Sequence, residues 1–349
     1  MKTVDRISTA IDRGQQDRPP LAVGYALVKK FGDDDLNQFV VGLGWYGFVA
    51  IYPLLLIAVS VLGFIGAASL GHSLVTTLHQ FPVVGTQFNP ADRGSLGHGS
   101  TLGLVIGLAG LLYGAQGVTQ TAQRAMVRVW NIPEVDVPGF LQRLGRSLAG
   151  LAVIGATFVG NAAVATLATG PGRGPAARGA LLVGMVVVNV GLYLAAYRAL
   201  TPRAIPTGSL LPGAGAAAVG FTLLITVGSG LVQHQVRNSS ATYGQFGIVI
   251  GLVAFLFLLA KISLYGAELN PVLARHLWPR GLVPAEPTEA DRRVLRALAH
   301  QNLRRPDQRI GVGFGEGAQR EVELDALAQG DRRQGDPDIQ PKFADRANG

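Results

Sequence analysis

Residues 245–267 read QFGIVIGLVAFLFLLAKISLYGA, a stretch of 23 positions with one charged side chain, Lys261. A helix needs about 20 apolar residues to cross ~30 Å of hydrocarbon, so this stretch is long enough to span a membrane. Six such runs in one chain are improbable as buried helices of a soluble protein. The other five lie at roughly 39–65, 101–118, 148–169, 180–200 and 210–232. The sequence therefore predicts an all-α polytopic membrane protein, a bundle of six transmembrane helices.

The composition narrows the class of protein further. The 349 residues are 48% hydrophobic and only 15% charged, with a formal net charge of +8 and no cysteine. Disordered chains have low hydrophobicity and high charge, so this composition argues against an intrinsically disordered protein. The absence of cysteine excludes a disulfide scaffold, a thiolate metal site and a thiol nucleophile. The positive net charge is consistent with binding either to nucleic acid or to an anionic membrane surface. The positions of the basic residues along the chain distinguish these two possibilities.

The basic residues predict the orientation of the spans. With a cytoplasmic N-terminus, 25 of the 30 Lys and Arg residues fall on the cytoplasmic side and four on the other. Basic residues concentrate in cytoplasmic loops, so both termini are predicted to be cytoplasmic. Residues 37–282 hold 13 basic and four acidic residues. The charge therefore follows membrane orientation and contact with anionic headgroups, and it does not predict nucleic-acid binding.

Three regions follow from the hydropathy. Residues 1–36 are predicted as a cytoplasmic segment with an interfacial helix at 21–31, which has Lys30 near its end, and Asp35 as the cap of the first span. Residues 37–282 form the six-span membrane domain, with amphipathic interfacial elbow helices at 120–130 and 140–146. Residues 283–349 form a largely disordered cytoplasmic tail, apart from a short helix from Thr288 to Gln301 capped by Thr288.

No motif for catalysis or cofactor binding is present. The chain lacks a P-loop, a dinucleotide fingerprint and a His-Glu-x-x-His pattern, and no pair of carboxylates lies within one span. His72, His79 and His98 lie in the predicted outer loop at wide spacings, which does not favour a zinc site. The sequence therefore predicts no enzyme, no cofactor and no metal.

Two charged residues near the end of the sixth span are candidates for a functional site. Lys261 and Glu268 are seven residues apart, two helical turns, and so share one face. An ionisable residue inside a membrane indicates function by default, which favours a substrate or ion-coupling pair. The alternative, which is favoured, is a lysine that snorkels to the surface and a carboxylate that pairs with Arg275 or a neighbouring elbow.

Glycines four residues apart occur in the second and sixth spans, as Gly103-x-x-x-Gly107, Gly110-x-x-x-Gly114 and Gly247-x-x-x-Gly251. Such pairs let helix backbones approach closely. Packing inside one bundle is favoured, and assembly of a homo-oligomer is the alternative.

Several short motifs, in order along the chain, resemble the YihY/BrkB family of bacterial inner-membrane proteins. They cover about residues 20–280, and Ala50 stands where the family has a serine. The motifs are Trp45-Tyr46, Pro53-Leu54-Leu55, Thr201-Pro202-Arg203, Tyr243-Gly244-Gln245-Phe246-Gly247 and Leu264-Tyr265-Gly266-Ala267-Glu268. Together with the charge argument they give eight candidate functional or packing positions: Tyr46, Pro53, Arg203, Tyr243, Gly247, Lys261, Gly266 and Glu268.

The resemblance implies a non-enzymatic, multi-pass protein of the bacterial inner membrane that contributes to envelope integrity. It also implies that the ribonuclease label once attached to this family does not apply. The expected partners are anionic lipid headgroups and a lipid or small amphiphile that the protein binds or moves. A structural scaffold for envelope machinery is the alternative function.

Overall fold

The computed structural model describes residues 12, 14–64, 101–133, 175–202, 205–238, 244–282, 287–305, 307–315, 318 and 322. Every regular element in these residues is helical. The α-helices are α1 (Pro19–Asp33), α2 (Leu36–Phe64), α3 (Thr101–Val129), α4 (Pro175–Leu200), α5 (Leu211–Asn238), α6 (Gly244–Ala274) and α7 (Glu289–Gln301), and a 3-10 helix at Thr207–Leu210 precedes α5.

Five of the six predicted spans coincide with helices, namely α2 to α6. The third predicted span, residues 148–169, lies outside the described residues. Three helical segments in the described part are long and apolar enough to cross a membrane: Val183–Leu200, Thr207–Ile225 and Val249–Ala274. A shorter apolar segment covers Leu36–Ile51. The all-helical prediction is thus confirmed for the described residues, and the chain has helices of membrane-spanning character.

The elbow predicted at residues 120–130 is not a separate helix. Helix α3 runs without interruption from Thr101 to Val129 and includes nearly all of it. Glycine and proline are the residues that interrupt helices, and none occurs between Val118 and Asn131. Helix α3 has 29 residues, more than the roughly 20 residues that a helix needs to cross the hydrocarbon core. The second predicted elbow, residues 140–146, lies outside the described residues.

The described chain forms two compact units. The larger unit contains the described residues of Leu27–Trp130 and Pro138–Arg275, and the smaller unit those of Met1–Ala26, Asn131–Val137 and His276–Gly349. The boundary falls inside α1, after Ala26. In the larger unit α2 packs against α3 and α6, α6 packs against α5, and α5 packs against α4.

Glycines on α3 receive the side chains of α2. A Cβ atom on Gly110 would lie 2.8 Å from Cγ of Pro53, and one on Gly114 would lie 2.9 Å from Cβ of Ala50. A Cβ atom on Gly117 would overlap the ring of Tyr46. The Gly110-x-x-x-Gly114 pair therefore packs inside the bundle, and α2 remains helical through Pro53.

Helices α5 and α6 approach equally closely. A Cβ atom on Gly213 would overlap the carbonyl oxygen of Gly266, and one on Gly266 would lie 2.7 Å from Cβ of Ala217. The backbone N–H of Gly213 donates to Oδ1 of Asn270 at 2.7 Å. The hydroxyl of Tyr197, on α4, donates to the carbonyl oxygen of Ser263 at 2.6 Å. Small residues thus allow backbone contact, and buried polar side chains bond across it.

The smaller unit is organised around the start of α7. The predicted cap is confirmed: Thr288 Oγ1 accepts from the N–H of Asp291 at 3.2 Å, and Asp291 Oδ2 accepts from the N–H of Thr288 at 3.1 Å. The same carboxylate forms an ion pair with Nε of Arg280 at 2.6 Å and accepts from the N–H of Gly281 at 2.9 Å. The reciprocal capping box therefore also joins α7 to the chain that precedes it.

We expect Thr288→Ala to destabilise the start of α7 by about 1 kcal/mol, because the first turn loses its side-chain acceptor. Hydrogen–deuterium exchange should become faster for the amides of the first turn. Arg293→Ala is the matched control, since its pair with Glu289 is half exposed, at 3.5 Å, and such pairs contribute little. Equal exchange in the two variants would contradict the capping role.

Candidate functional site

A fully buried group of three charged side chains lies in the larger unit. Nζ of Lys30 is 2.6 Å from Oδ2 of Asp34 and 2.5 Å from Oε1 of Glu268. It also donates to the carbonyl oxygen of Val129 at 2.9 Å. All three charged side chains have an exposed fraction of 0%. We call Lys30, Asp34 and Glu268 the ion cluster.

The local sequence explains how α1 delivers two members of the ion cluster. Lys30 lies in the last turn of α1, and Asp34 follows the helix four residues later, so the two side chains share one face. Asp35 then takes the left-handed conformation with φ of 53°. Its N–H donates to the carbonyl oxygen of Gly32 at 3.0 Å, and its own carbonyl accepts from the N–H of Gln38 at 3.3 Å. This turn ends α1 and leads directly into α2.

Further groups surround the ion cluster. Nε of Arg128 donates to the carbonyl oxygen of Asp34 at 3.1 Å, and its Nη2 is 3.7 Å from Oδ2 of Asp35. The predicted N-cap residue Asp35 therefore lies immediately before α2, with its carboxylate facing α3. The guanidinium of Arg275 lies over the ring of Trp130, with Cζ 5.5 Å from the centroid.

An aromatic pair packs beside the same turn of α1. The rings of Phe31 and Tyr265 stack with centroids 4.0 Å apart and an angle of 15° between their planes. Phe31 is 2% exposed, so this contact belongs to the interior. The stacked rings and the ion cluster together hold the end of α1 against α6. Lys30, near the end of the predicted interfacial helix, therefore has its ammonium group paired inside the protein.

Glu268 is the one predicted site residue that belongs to the ion cluster. Its ion partner among the described residues is Lys30, on α1, and neither Lys261 nor Arg275 pairs with it there. Lys261 is exposed on the surface of α6. The other predicted positions that are described serve helix packing: Tyr46 and Pro53 lie against α3, and Gly266 lies against α5.

Two predicted positions, Arg203 and Tyr243, lie outside the described residues, as do His72, His79 and His98. Gly247 lies within α6. In the part of the chain that the structure describes, no group of three or more His, Asp or Glu side chains is arranged to hold a metal ion.

The sequence reasoning missed Lys30 and Asp34 as site residues. The signal available was their spacing, because Lys and Asp four residues apart at the end of a helix form a pair on one face. That signal does not tell a buried pair from a solvated one. In the structure the pair is buried, and Glu268, from the end of the last predicted span, contacts it.

The comparisons with known proteins support the motif-based assignment. A family model described as "Virulence factor BrkB" matches residues 27–289, three quarters of the chain. The match includes all three members of the ion cluster and all eight positions singled out from the sequence. No curated protein and no solved structure matches the chain.

Proposed function

Because the chain belongs to the virulence factor BrkB family, we propose that it is a non-enzymatic, multi-pass protein of the bacterial inner membrane. We propose that it contributes to envelope integrity by binding or moving a lipid or another amphiphile. The observation that carries this proposal is the ion cluster, three buried charges in a bundle of apolar helices. The absence of catalytic activity stays a prediction from the sequence.

The distribution of side chains supports the membrane location. Large apolar groups lie on the outside of the helices, and Tyr113, Val183 and Ile250 are each more than 60% exposed. The charged side chains of the ion cluster lie inside. Large exposed apolar patches on a protein mark contact with a membrane or with another protein. Apolar exteriors are stable where hydrocarbon replaces water.

The proposed topology has six spans with both termini in the cytoplasm. Its support is the excess of basic residues on the side of the N-terminus. Under this topology the ion cluster lies near the cytoplasmic end of the bundle, because Lys30 precedes the first span and Glu268 ends the sixth. Arginines on the same side, such as Arg128 and Arg275, face the anionic headgroups of that leaflet.

The ion cluster supports movement of an amphiphile for an energetic reason. Ionisable groups at membrane depth are costly, and they are found mainly where they bind substrate, couple to ions or transfer protons. An amphiphile has a polar headgroup and an apolar tail. A protein that moves it therefore needs a charged group inside, for the headgroup, and an apolar outer surface, for the tail. Both features are present in this unit, on α1 and α6 for the charges and on α3, α4 and α6 for the apolar surface.

A scrambling assay tests the proposal. Vesicles containing the purified protein and a fluorescent phospholipid should expose the inner-leaflet label to an external quencher faster than empty vesicles do. Glu268→Ala should slow this exchange about tenfold, the effect of ~1.4 kcal/mol on a barrier. Lys261→Ala is the matched control on the same helix, and its exposed side chain should make it equivalent to the unsubstituted protein.

One observation favours the alternative of a structural scaffold. Two pairs of helices, α2 with α3 and α5 with α6, pack closely at glycines. A Cβ atom added to these glycines would clash with the neighbouring helix. A tightly packed bundle is suited to hold partner proteins in place. Exchange no faster than in empty vesicles, with correctly folded protein, would contradict movement of phospholipid and favour the scaffold.

A further inference from the structure

The hydrogen bonding of the ion cluster is uneven. The ammonium group of Lys30 has three N–H donors and three close oxygen neighbours, on Asp34, Glu268 and Val129. Two of these contacts are hydrogen bonds, to Asp34 and to the carbonyl oxygen of Val129. The third neighbour, Oε1 of Glu268, is in ionic contact at 2.5 Å without hydrogen-bond geometry.

Glu268 consequently has fewer donors than an ionised carboxylate needs, with the Lys30 ammonium group as its close cation. Both of its side-chain oxygens are buried, and neither accepts a hydrogen bond from the described residues. A buried carboxylate is stable when it accepts two or three hydrogen bonds or has a cation of its own. Glu268 shares its cation with Asp34, which has the better geometry.

The two carboxyl groups are close enough to oppose each other's ionisation. Their nearest oxygens both contact the same ammonium nitrogen. These oxygens therefore lie within about 5 Å of each other, a separation at which two carboxylates oppose each other's ionisation. A protonated Glu268 supplies its own donor, and only one carboxylate then remains opposite Lys30. One positive and one negative charge balance inside the low-dielectric interior.

We propose that the ion cluster is a proton-binding site in which Glu268 carries an exchangeable proton beside the Lys30–Asp34 pair. Uptake forms an O–H bond on Glu268 and leaves the cluster without net charge. Release returns the proton to water and leaves a net charge of −1. The other charged and titratable groups around the site are Asp35 before α2, Arg128 on α3, and Tyr265 and Arg275 at the end of α6.

Arg128 and Arg275 are engaged by other groups. Arg128 contacts the main-chain oxygen of Asp34 and the carboxylate of Asp35, and Arg275 lies over Trp130. Within the described part of the chain, the ion pair of Glu268 is with Lys30 and with neither arginine. Neither arginine therefore forms a second ion pair with Glu268. A bound proton neutralises the carboxylate instead.

Infrared difference spectroscopy on the full chain in lipid vesicles tests the site directly. At about pH 7 an ordinary carboxyl group with a pKa near 4 is fully ionised. We expect a protonated-carboxyl stretching band at this pH that shifts in deuterated water and decreases when the pH is raised. Glu268→Gln should abolish the band, and Asp34→Asn should weaken it, because Lys30 then has no carboxylate other than Glu268 to pair with and favours its ionised form.

Glu289→Gln is the matched control, because Glu289 is 61% exposed and pairs with Arg293 in water, so it contributes no such band. A spectrum at pH about 7 without a protonated-carboxyl band, or with a band that persists in Glu268→Gln, would overturn the proposal. The measurement requires no transported lipid. If the band is present but the protein does not scramble lipid, the proton site stands and the proposed function fails. If the protein scrambles lipid without the band, the proposed function stands and the proton site fails.

Discussion

Replacing Lys30 by methionine is expected to lower the free energy of unfolding by about 3–5 kcal/mol, the usual cost of removing one partner from a buried ion pair. Methionine fills a similar volume, so the effect comes from charge rather than from a cavity. Without the ammonium group, Asp34 keeps a buried negative charge next to Glu268, and the carbonyl oxygen of Val129 loses its donor. Thermal or denaturant unfolding in detergent micelles measures the change.

Lys261→Met provides the control for Lys30→Met. The two substitutions remove the same charge and add the same side chain, but Lys261 is exposed. We expect its effect to stay within about 0.5 kcal/mol, as for most surface substitutions. If Lys30→Met were as stable as Lys261→Met, the ion cluster would not hold α1 to the bundle. A double variant, Lys30→Met with Asp34→Asn, should recover part of the loss because it removes the unpaired charge.

The second large effect is expected at Gly213, where α5 meets α6. In Gly213→Ala the new methyl group would overlap the carbonyl oxygen of Gly266 and lie 2.5 Å from both side-chain polar atoms of Asn270. One obstacle is backbone and cannot rotate away, and the other accepts the N–H of Gly213. Overpacking costs typically about 1–3 kcal/mol and a lost hydrogen bond about 1 kcal/mol. We expect a net loss of about 1–3 kcal/mol after the better helix propensity of alanine is included.

Gly215→Ala is the matched control two residues further along α5. A Cβ atom there meets nothing within 4 Å. The substitution should therefore stabilise the helix, by up to about 1 kcal/mol, because alanine has the higher helix propensity. If the free energy of unfolding falls in Gly213→Ala and rises in Gly215→Ala in the same assay, the close contact of α5 and α6 is supported. Equal effects would mean that the two helices can separate at little cost.

The helical architecture followed from the sequence because hydropathy and helix caps act locally. Apolar runs long enough to cross hydrocarbon predicted α2 to α6. Thr288, as a cap residue before the helical stretch, marked the start of α7. The prediction of an elbow at 120–130 is wrong because a change from apolar to amphipathic composition does not require a new element. A helix continues through such a change when no glycine or proline interrupts it.

The functional positions followed less well. Tyr46, Pro53 and Gly266 were selected because of family motifs, and the structure explains them as contacts between helices. Glu268 was selected as an intramembrane charge, and its expected partner was Lys261, Arg275 or a neighbouring elbow. The actual partner, Lys30, lies near the start of the chain, before the first predicted span. Pairings over such a separation depend on how the helices pack, which the hydropathy of a single run does not contain.

The sequence by itself determined that the chain is helical, that its helices are suited to a membrane and which family it belongs to. Those properties depend on the character of each run, on the free energy of transfer from water to hydrocarbon and on local motifs. The tertiary structure alone decided which charges are buried together. Lys30 and Lys261 both lie on apolar helices, but Lys30 is enclosed by Asp34, Glu268 and Val129, whereas Lys261 is exposed. Burial is a property of neighbours from distant parts of the chain, and it converts one ordinary lysine into part of a candidate site.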